Sequence, residues 1–281
     1  MAAAVETQQP DSLVIRPPSR WAGLGIRDLW RYRELLFFLT WRDIKVRYKQ
    51  TVLGALWALL QPFVTMIVFT VVFNHIGRIK TGPVPYPLFA LSGLALWFYF
   101  SNAVNMTANS LISNSALITK VFFPRLIVAI SPVLAGLVDL ALALVIVAGA
   151  MAYYGFVPEL QIVLLPVFML LMLVTALAIG LFLAALNVRY RDIRYAVPFV
   201  MQIWLYVSPV AYSSDQVPAR FRTLYGLNPL SGVIDGFRWS LLGTGHLEVR
   251  RLAVSTAVTL VLLFAGAAYF SRTERTFADV I

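Results

Sequence analysis

The sequence predicts an all-α integral membrane protein with about six transmembrane helices. An amphipathic interface helix is expected ahead of the first span, and short re-entrant helices in the outer loop before the last. Three observations carry the prediction. Hydrophobic residues make up 60% of the 281 and charged residues only 13%, against the roughly 25% charged residues of an ordinary soluble domain. The charges gather in short clusters separated by long uncharged runs. About six of those runs are long enough to be read as the ~20-residue helices that cross a bilayer.

Each element follows from its residues. Residues 1–22 lack an apolar core and contain Pro10, Pro17 and Pro18, so a disordered lead-in is expected there rather than a cleavable signal. Over 23–50, Ile26, Trp30, Phe37, Trp41, Ile44 and Tyr48 recur at helical spacing beside a stripe of Arg27, Arg31, Glu34, Arg42, Lys45 and Lys49. That pattern predicts a cytoplasmic helix lying in the membrane interface, bases toward phosphates and aromatics toward acyl chains. A continuous extension of the first span is the alternative. A transmembrane domain over 51–272 then holds spans at 53–73, 88–108, 126–153, 160–186, 196–212 and 252–270, and 273–281 form a cytoplasmic tail.

Only the third span contains a charge, Asp139. Its plain reading is a protonated or hydrogen-bonded residue packed between helices. The fifth span is short and holds Pro198 and Pro209. It is expected to be tilted, broken or partly re-entrant, which requires protein or water to cover the loosened backbone. The loop 213–249 is too apolar for a free linker, with Leu224, Leu227, Leu230, Val233, Ile234, Phe237, Trp239 and Leu241 among glycines and prolines. Two short helices folded onto the outer membrane face would bury those side chains. They are expected to break at Asn228–Pro229, because the residue before proline is pushed out of helical geometry. Asp235 and Arg238 stand i, i+3 and are expected to pair across one turn.

The net charge of +10 is distributed in a way that orients the chain. Arg33, Arg42, Lys45, Arg47 and Lys49 precede the first span, Lys120 and Arg125 follow the second, and Arg189, Arg191 and Arg194 follow the fourth. Short loops rich in Lys and Arg stay inside, so both termini are expected in the cytoplasm and the protein in the cytoplasmic (inner) membrane. Because the bases flank spans, lipid and not nucleic acid is the expected polyanion. There is no cysteine for disulfides or thiolate metal sites, and His75 and His246 have no ligand spacing.

A phosphate-cradling P-loop needs Gly before its lysine. The four lysines, Lys45, Lys49, Lys80 and Lys120, follow Ile, Tyr, Ile and Thr. With Asp139 alone in the spans, no acid pair is available either. The chain is therefore expected not to be an enzyme, with no catalytic residue, metal or cofactor of its own.

Specific motifs sharpen this reading. Trp41, Arg42, Asp43, Arg47, Tyr48, Gly54, Trp57, Gln61 and Pro62 closely resemble the opening of the permease subunits of polysaccharide ABC exporters, the ABC-2-type family that exports lipid-linked O-antigen, capsular polysaccharide or teichoic acid. Trp97, Asn114, Lys120, Phe123, Pro124 and Arg125 are similar to that family's second span and following loop. Ser208-Pro209-Val210 resembles its fifth span, and Asn228-Pro229-Leu230 with Phe237-Arg238 its outer loop. The matching blocks run in the family's order from about residue 30 to 243.

The resemblance implies a homodimer of this chain above two copies of a separate ATPase subunit, which would hold ATP and Mg, with lipid-linked polysaccharide as substrate. It implies an ATPase-coupling helix over 113–123, with Ser113, Asn114, Leu117, Lys120, Phe123 and Arg125, and a smaller contact through Arg189, Arg191 and Asp192. Positive-inside topology alone is the plainer account of both loops. Sugars need aromatic faces and hydroxyl partners, so Trp57, Gln61, Trp97, Tyr99, Asn102 and Asn105 are candidates for the translocation path. An interfacial aromatic belt is the alternative for each ring, and the consecutive aromatics 97–100 cannot all face one way. Asn228, Pro229, Asp235 and Arg238 are the candidates for an outer gate. A permease of a small-molecule or drug exporter, or a membrane enzyme acting on lipid-linked sugars, are the competing functions.

Overall fold

The computed structural model describes residues 26–49, 56–79, 81–243, 247–274 and 277. The expected lead-in over 1–22, most of the tail over 273–281, Gly54, Lys80 and His246 lie outside the described residues. Within them the order is α1 (Ile26–Arg31), α2 (Arg33–Tyr48), α3 (Leu56–Phe69, continued by a π-helical stretch Thr70–Ile76), α4 (Tyr86–Ser113), α5 (Ser115–Lys120), α6 (Leu126–Tyr154), α7 (Leu165–Arg189), α8 (Ile193–Val207), α9 (Arg222–Gly226), α10 (Pro229–Leu242) and α11 (Val249–Thr273). No strand occurs among the described residues.

Five helical segments among the described residues are long and apolar enough to cross a membrane: Leu59–Ile76, Tyr86–Ser113, Leu126–Tyr154, Leu160–Arg189 and Val249–Thr273. The fifth expected span, over 196–212, is short and broken, as its prolines predict. Its helix, α8, has 15 residues, which rise about 22 Å at ~1.5 Å each and fall short of the ~30 Å hydrocarbon core. Helix stops at Val207 because Pro209 has no N–H and forces Ser208 into an extended conformation (φ −97°, ψ 155°). Residues 208–211 continue as buried, non-helical backbone.

Helix α4 is the axis of the molecule. It packs on α6 and α7, with α3, α8 and α10 around it, and side chains on almost every face, from Leu88 to Leu111, are buried. Small residues let these backbones approach, as in many membrane bundles. A Cβ on Gly180 of α7 would lie 2.8 Å from Thr107 of α4, and one on Gly266 of α11 would lie 2.6 Å from the Ala178 carbonyl oxygen. Helix α3 is the opposite case. Trp57, Phe63, Val64, Ile67, Val68, Val71 and Val72 are all exposed on the single chain.

The outer loop forms two helices broken at Asn228–Pro229, as its sequence predicts. Asn228 caps α10 by accepting the Leu230 N–H at 3.1 Å, Pro229 occupies the first turn, and Gly243 ends the helix with φ 65°. The expected position on the membrane surface needs correction for α10. It inserts among α4, α7 and α11 and is buried nearly all round, whereas Leu224 and Leu227 around α9 remain exposed. The expected Asp235–Arg238 pair is also corrected: Asp235 accepts from Arg251 of α11 at 2.6 Å, and Arg238 points into the bundle.

The N-terminal helix exists and is divided at Tyr32; of its predicted charged stripe, Arg31, Glu34, Lys45 and Lys49 are exposed and Arg42 is half-buried. Trp30, Phe37 and Trp41 are exposed, on a side free to meet lipid. Arg42, Asp43, Arg47 and Tyr48 turn toward the bundle instead, where α2 packs along α6. Their partners are side chains in α6 and at the α4–α5 junction.

Candidate functional site

The helix directions bring three groups of predicted residues to three levels of the bundle. At the end where α4, α6, α7 and α8 exchange the chain, short turns carry the coupling candidates. Ser113 ends α4 and is exposed. Asn114 joins α4 to α5, its amide donating to the Ser110 carbonyl and its Oδ1 accepting from Arg42, both at 2.8 Å. Leu117 is half-buried and Lys120 exposed on α5.

Phe123 is buried in an apolar cluster with Leu39, Ile118, Ile127, Leu181, Phe270 and Phe277. That cluster ties α2, the loop after α5 and the C-terminal residues into one body. Arg125 is engaged within the chain: its N–H donates to Glu274 at 3.1 Å and its guanidinium lies 6.0 Å from the Phe277 ring. Arg189, Arg191 and Asp192 are exposed at the α7–α8 turn, on the same end of the bundle.

Two residues absent from the sequence-based selection complete this surface. Val121 and Phe122 follow α5 and are 52% and 78% exposed. Apolar tips in a loop between spans are an obvious contact for a partner protein. Their signal in the sequence was the run Val121-Phe122-Phe123, of which only one member can be buried.

The second group surrounds a cavity of about 380 Å³ between α3, α4 and α6, closed on one side by the end of α2. Trp57, Gln61, Tyr99 and Asn102 line it together. Trp97 and Asn105 do not. Trp97 is buried against Phe100, ring centroids 5.7 Å apart, because α4 is covered on both sides at that level. Asn105 donates to the Ser101 carbonyl at 2.7 Å on its own helix.

The sequence reading did not foresee the polar wall of this cavity, made by Arg47, Tyr48 and Asp139. Arg47 forms an ion pair with Asp139, and the Tyr48 hydroxyl donates to the other carboxylate oxygen. Asp139 is thus the acceptor of a cation carried in by α2. Nearer the α4–α5 junction, Ser131 of α6 donates to Asp43 at 2.8 Å, and Arg42 bridges Asp43 to Asn114. Two polar groups therefore fasten α2 to the bundle, one at the α4–α5 junction and one at the cavity.

The third group joins the outer elements. Asn228 accepts from the Trp204 indole at 3.1 Å and donates to Ser208 Oγ at 3.2 Å, linking the end of α8 to the start of α10. Pro229 is buried beside it. Arg238 donates to the carbonyls of Pro209 (2.6 Å), Val210 (2.7 Å) and Phe89 (3.2 Å), and to Ser92 Oγ (3.3 Å). Its guanidinium also stacks 3.6 Å from the Phe89 ring. Gly93 leaves the room it occupies. Arg238 is itself buried, 5% exposed. It supplies the donors that the interrupted backbone after α8 lacks.

With this geometry in view, comparison with known proteins is informative. Residues 34–242 match the ABC-2 type transporter family. The chain is 31% identical to the O-antigen export system permease protein of Myxococcus xanthus, over 91% of this chain and 98% of that one. It is 26% identical to the O-antigen export system permease protein of Klebsiella pneumoniae, over 88% and 95% of the two chains. It is 25% identical to the polysialic acid transport protein of Escherichia coli, over 86% and 93%.

Proposed function

The chain belongs to the ABC-2 type transporter family, and on that premise we propose that it is the transmembrane subunit of an ABC exporter of lipid-linked polysaccharide, O-antigen-like in class. The observation that carries this reading is similarity along nearly the whole of both chains to a permease named for O-antigen export. The architecture agrees with it: a multi-pass bundle, a short loop with exposed apolar tips, and a cavity with aromatic and hydroxyl-binding groups. ATP and Mg belong to a separate ATPase subunit in this account, since the sequence has no P-loop lysine.

The working unit is a homodimer in the cytoplasmic membrane, both termini inside, with two ATPase copies beneath. Each ATPase presses on α5, Val121 and Phe122, with Arg189, Arg191 and Asp192 as a second foot. The stroke passes through Asn114 and Arg42 to α2, and through Asp43 and Arg47 to α6 at the cavity. Asn228, Pro229 and Arg238 hold the outer re-entrant segment closed until the bundle shifts.

Co-expression with an ATPase subunit of a polysaccharide exporter tests the assembly. The expected outcome is a complex of two permeases and two ATPases that hydrolyses ATP in nanodiscs, with only background hydrolysis by the permease alone. Robust turnover by the isolated permease, abolished by a substitution within it, would contradict the assignment.

A further inference from the structure

We propose that the cavity at Arg47 and Asp139 is a subsite for uncharged sugar units, in which this ion pair reads neighbouring hydroxyls and excludes acidic glycans. The inference rests on the export reading and narrows its substrate. A charged pair inside a membrane bundle is a poor structural device. Desolvation offsets much of its attraction, and apolar packing would serve as well. Here the pair is also not sealed in. The Arg47 side chain is 20% and that of Asp139 13% exposed, and both face a space of about 380 Å³, within the ~300–1,000 Å³ of small-ligand sites.

The charge balance selects the ligand. An unpaired arginine in such a place would suit a phosphate or carboxylate. Arg47 already has its carboxylate, so the wall is neutral overall, and an arriving anion would give up its hydration with no net positive charge to replace it. A neutral hydroxyl pair gives up far less. Each hydroxyl donates once and accepts. The carboxylate retains lone pairs beyond those used by Arg47 and Tyr48, and the guanidinium has more N–H donors than Asp139 and Met106 engage. Donors and acceptors thus stand side by side at the spacing of one ion pair. Trp57 and Tyr99 add ring surface for the apolar C–H face of a sugar. Tyr99 is fixed for this, its hydroxyl donating to the Val133 carbonyl at 3.2 Å and its ring seated on Gly136.

The test is direct binding to the permease–ATPase complex in nanodiscs, read as the tryptophan quenching that Trp57→Phe removes. A neutral mannose trisaccharide should quench saturably, while a sialic acid trimer and inorganic phosphate should not. Asp139→Asn should weaken the neutral probe at least about tenfold, the loss expected for hydrogen bonds to a charged group. The exchanged double variant Arg47→Asp/Asp139→Arg separates recognition from support: it should recover the melting temperature but not the binding. Equal quenching by the acidic probe or by phosphate, binding restored in full by the exchange, or no saturable quenching at all would each overturn the proposal. A null strain that still displays its glycan would instead refute the export reading, and leaves this binding measurement independent of it.

Discussion

Arg238 shows how one side chain can hold an irregular fold together. Chain breaks inside a membrane protein leave carbonyls without helical partners, and lipid offers no replacement. After α8 those carbonyls belong to Pro209 and Val210, and a single planar guanidinium serves both together with Phe89. Arg238→Met should therefore cost more than about 3 kcal/mol, since each buried group left unpaired costs roughly 1–3 kcal/mol. Arg238→Lys should recover only part, because one ammonium cannot span the same fork. Melting followed by size-exclusion fluorescence in detergent measures both. Gly93→Ala should act in the same direction, as its Cβ would strike the guanidinium.

Among the elements, α5 and its tips are the coupling contact proposed above, marked in the sequence by charge and carrying exposed apolar residues at Val121 and Phe122. Phe122, 78% exposed, is better placed than Asn114 for a crosslink, since Asn114 is occupied by Arg42. Phe122→Cys should crosslink to the ATPase and resist impermeant thiol reagents applied outside cells. Phe122→Ala should weaken the complex by about 2 kcal/mol, roughly thirtyfold, as for a central aromatic anchor. Helix α2 makes a different prediction. Its link from Asn114 to α6 passes through Arg42, so Arg42→Ala should leave ATP hydrolysis near the wild-type rate while export falls severalfold. Equal loss of both would show that α2 only supports the fold.

Over the whole molecule, the parts legible in the sequence are those written in neighbouring residues. Apolar runs gave the spans, Asn228-Pro229 gave the start of α10, and the lysines and arginines beside spans gave the loops that join α4 to α6 and α7 to α8. The misread parts depend on residues far apart in the chain. Nothing local distinguishes Arg47 facing lipid phosphate from Arg47 facing Asp139, 92 positions away. Trp97 carries the same chemistry as Trp57, but α4 is enclosed at that level and α3 is open. The apolar character of 229–242 was clear, yet burial against the membrane surface and burial against α7 and α11 leave the same sequence pattern.

The most direct test of the central claim is deletion of this chain followed by localisation of the glycan in intact and in opened cells. The account predicts a bare cell surface with lipid-linked polymer retained on the inner side, and restoration of the surface glycan by the wild-type chain. Undiminished surface glycan in the deletion strain would contradict it.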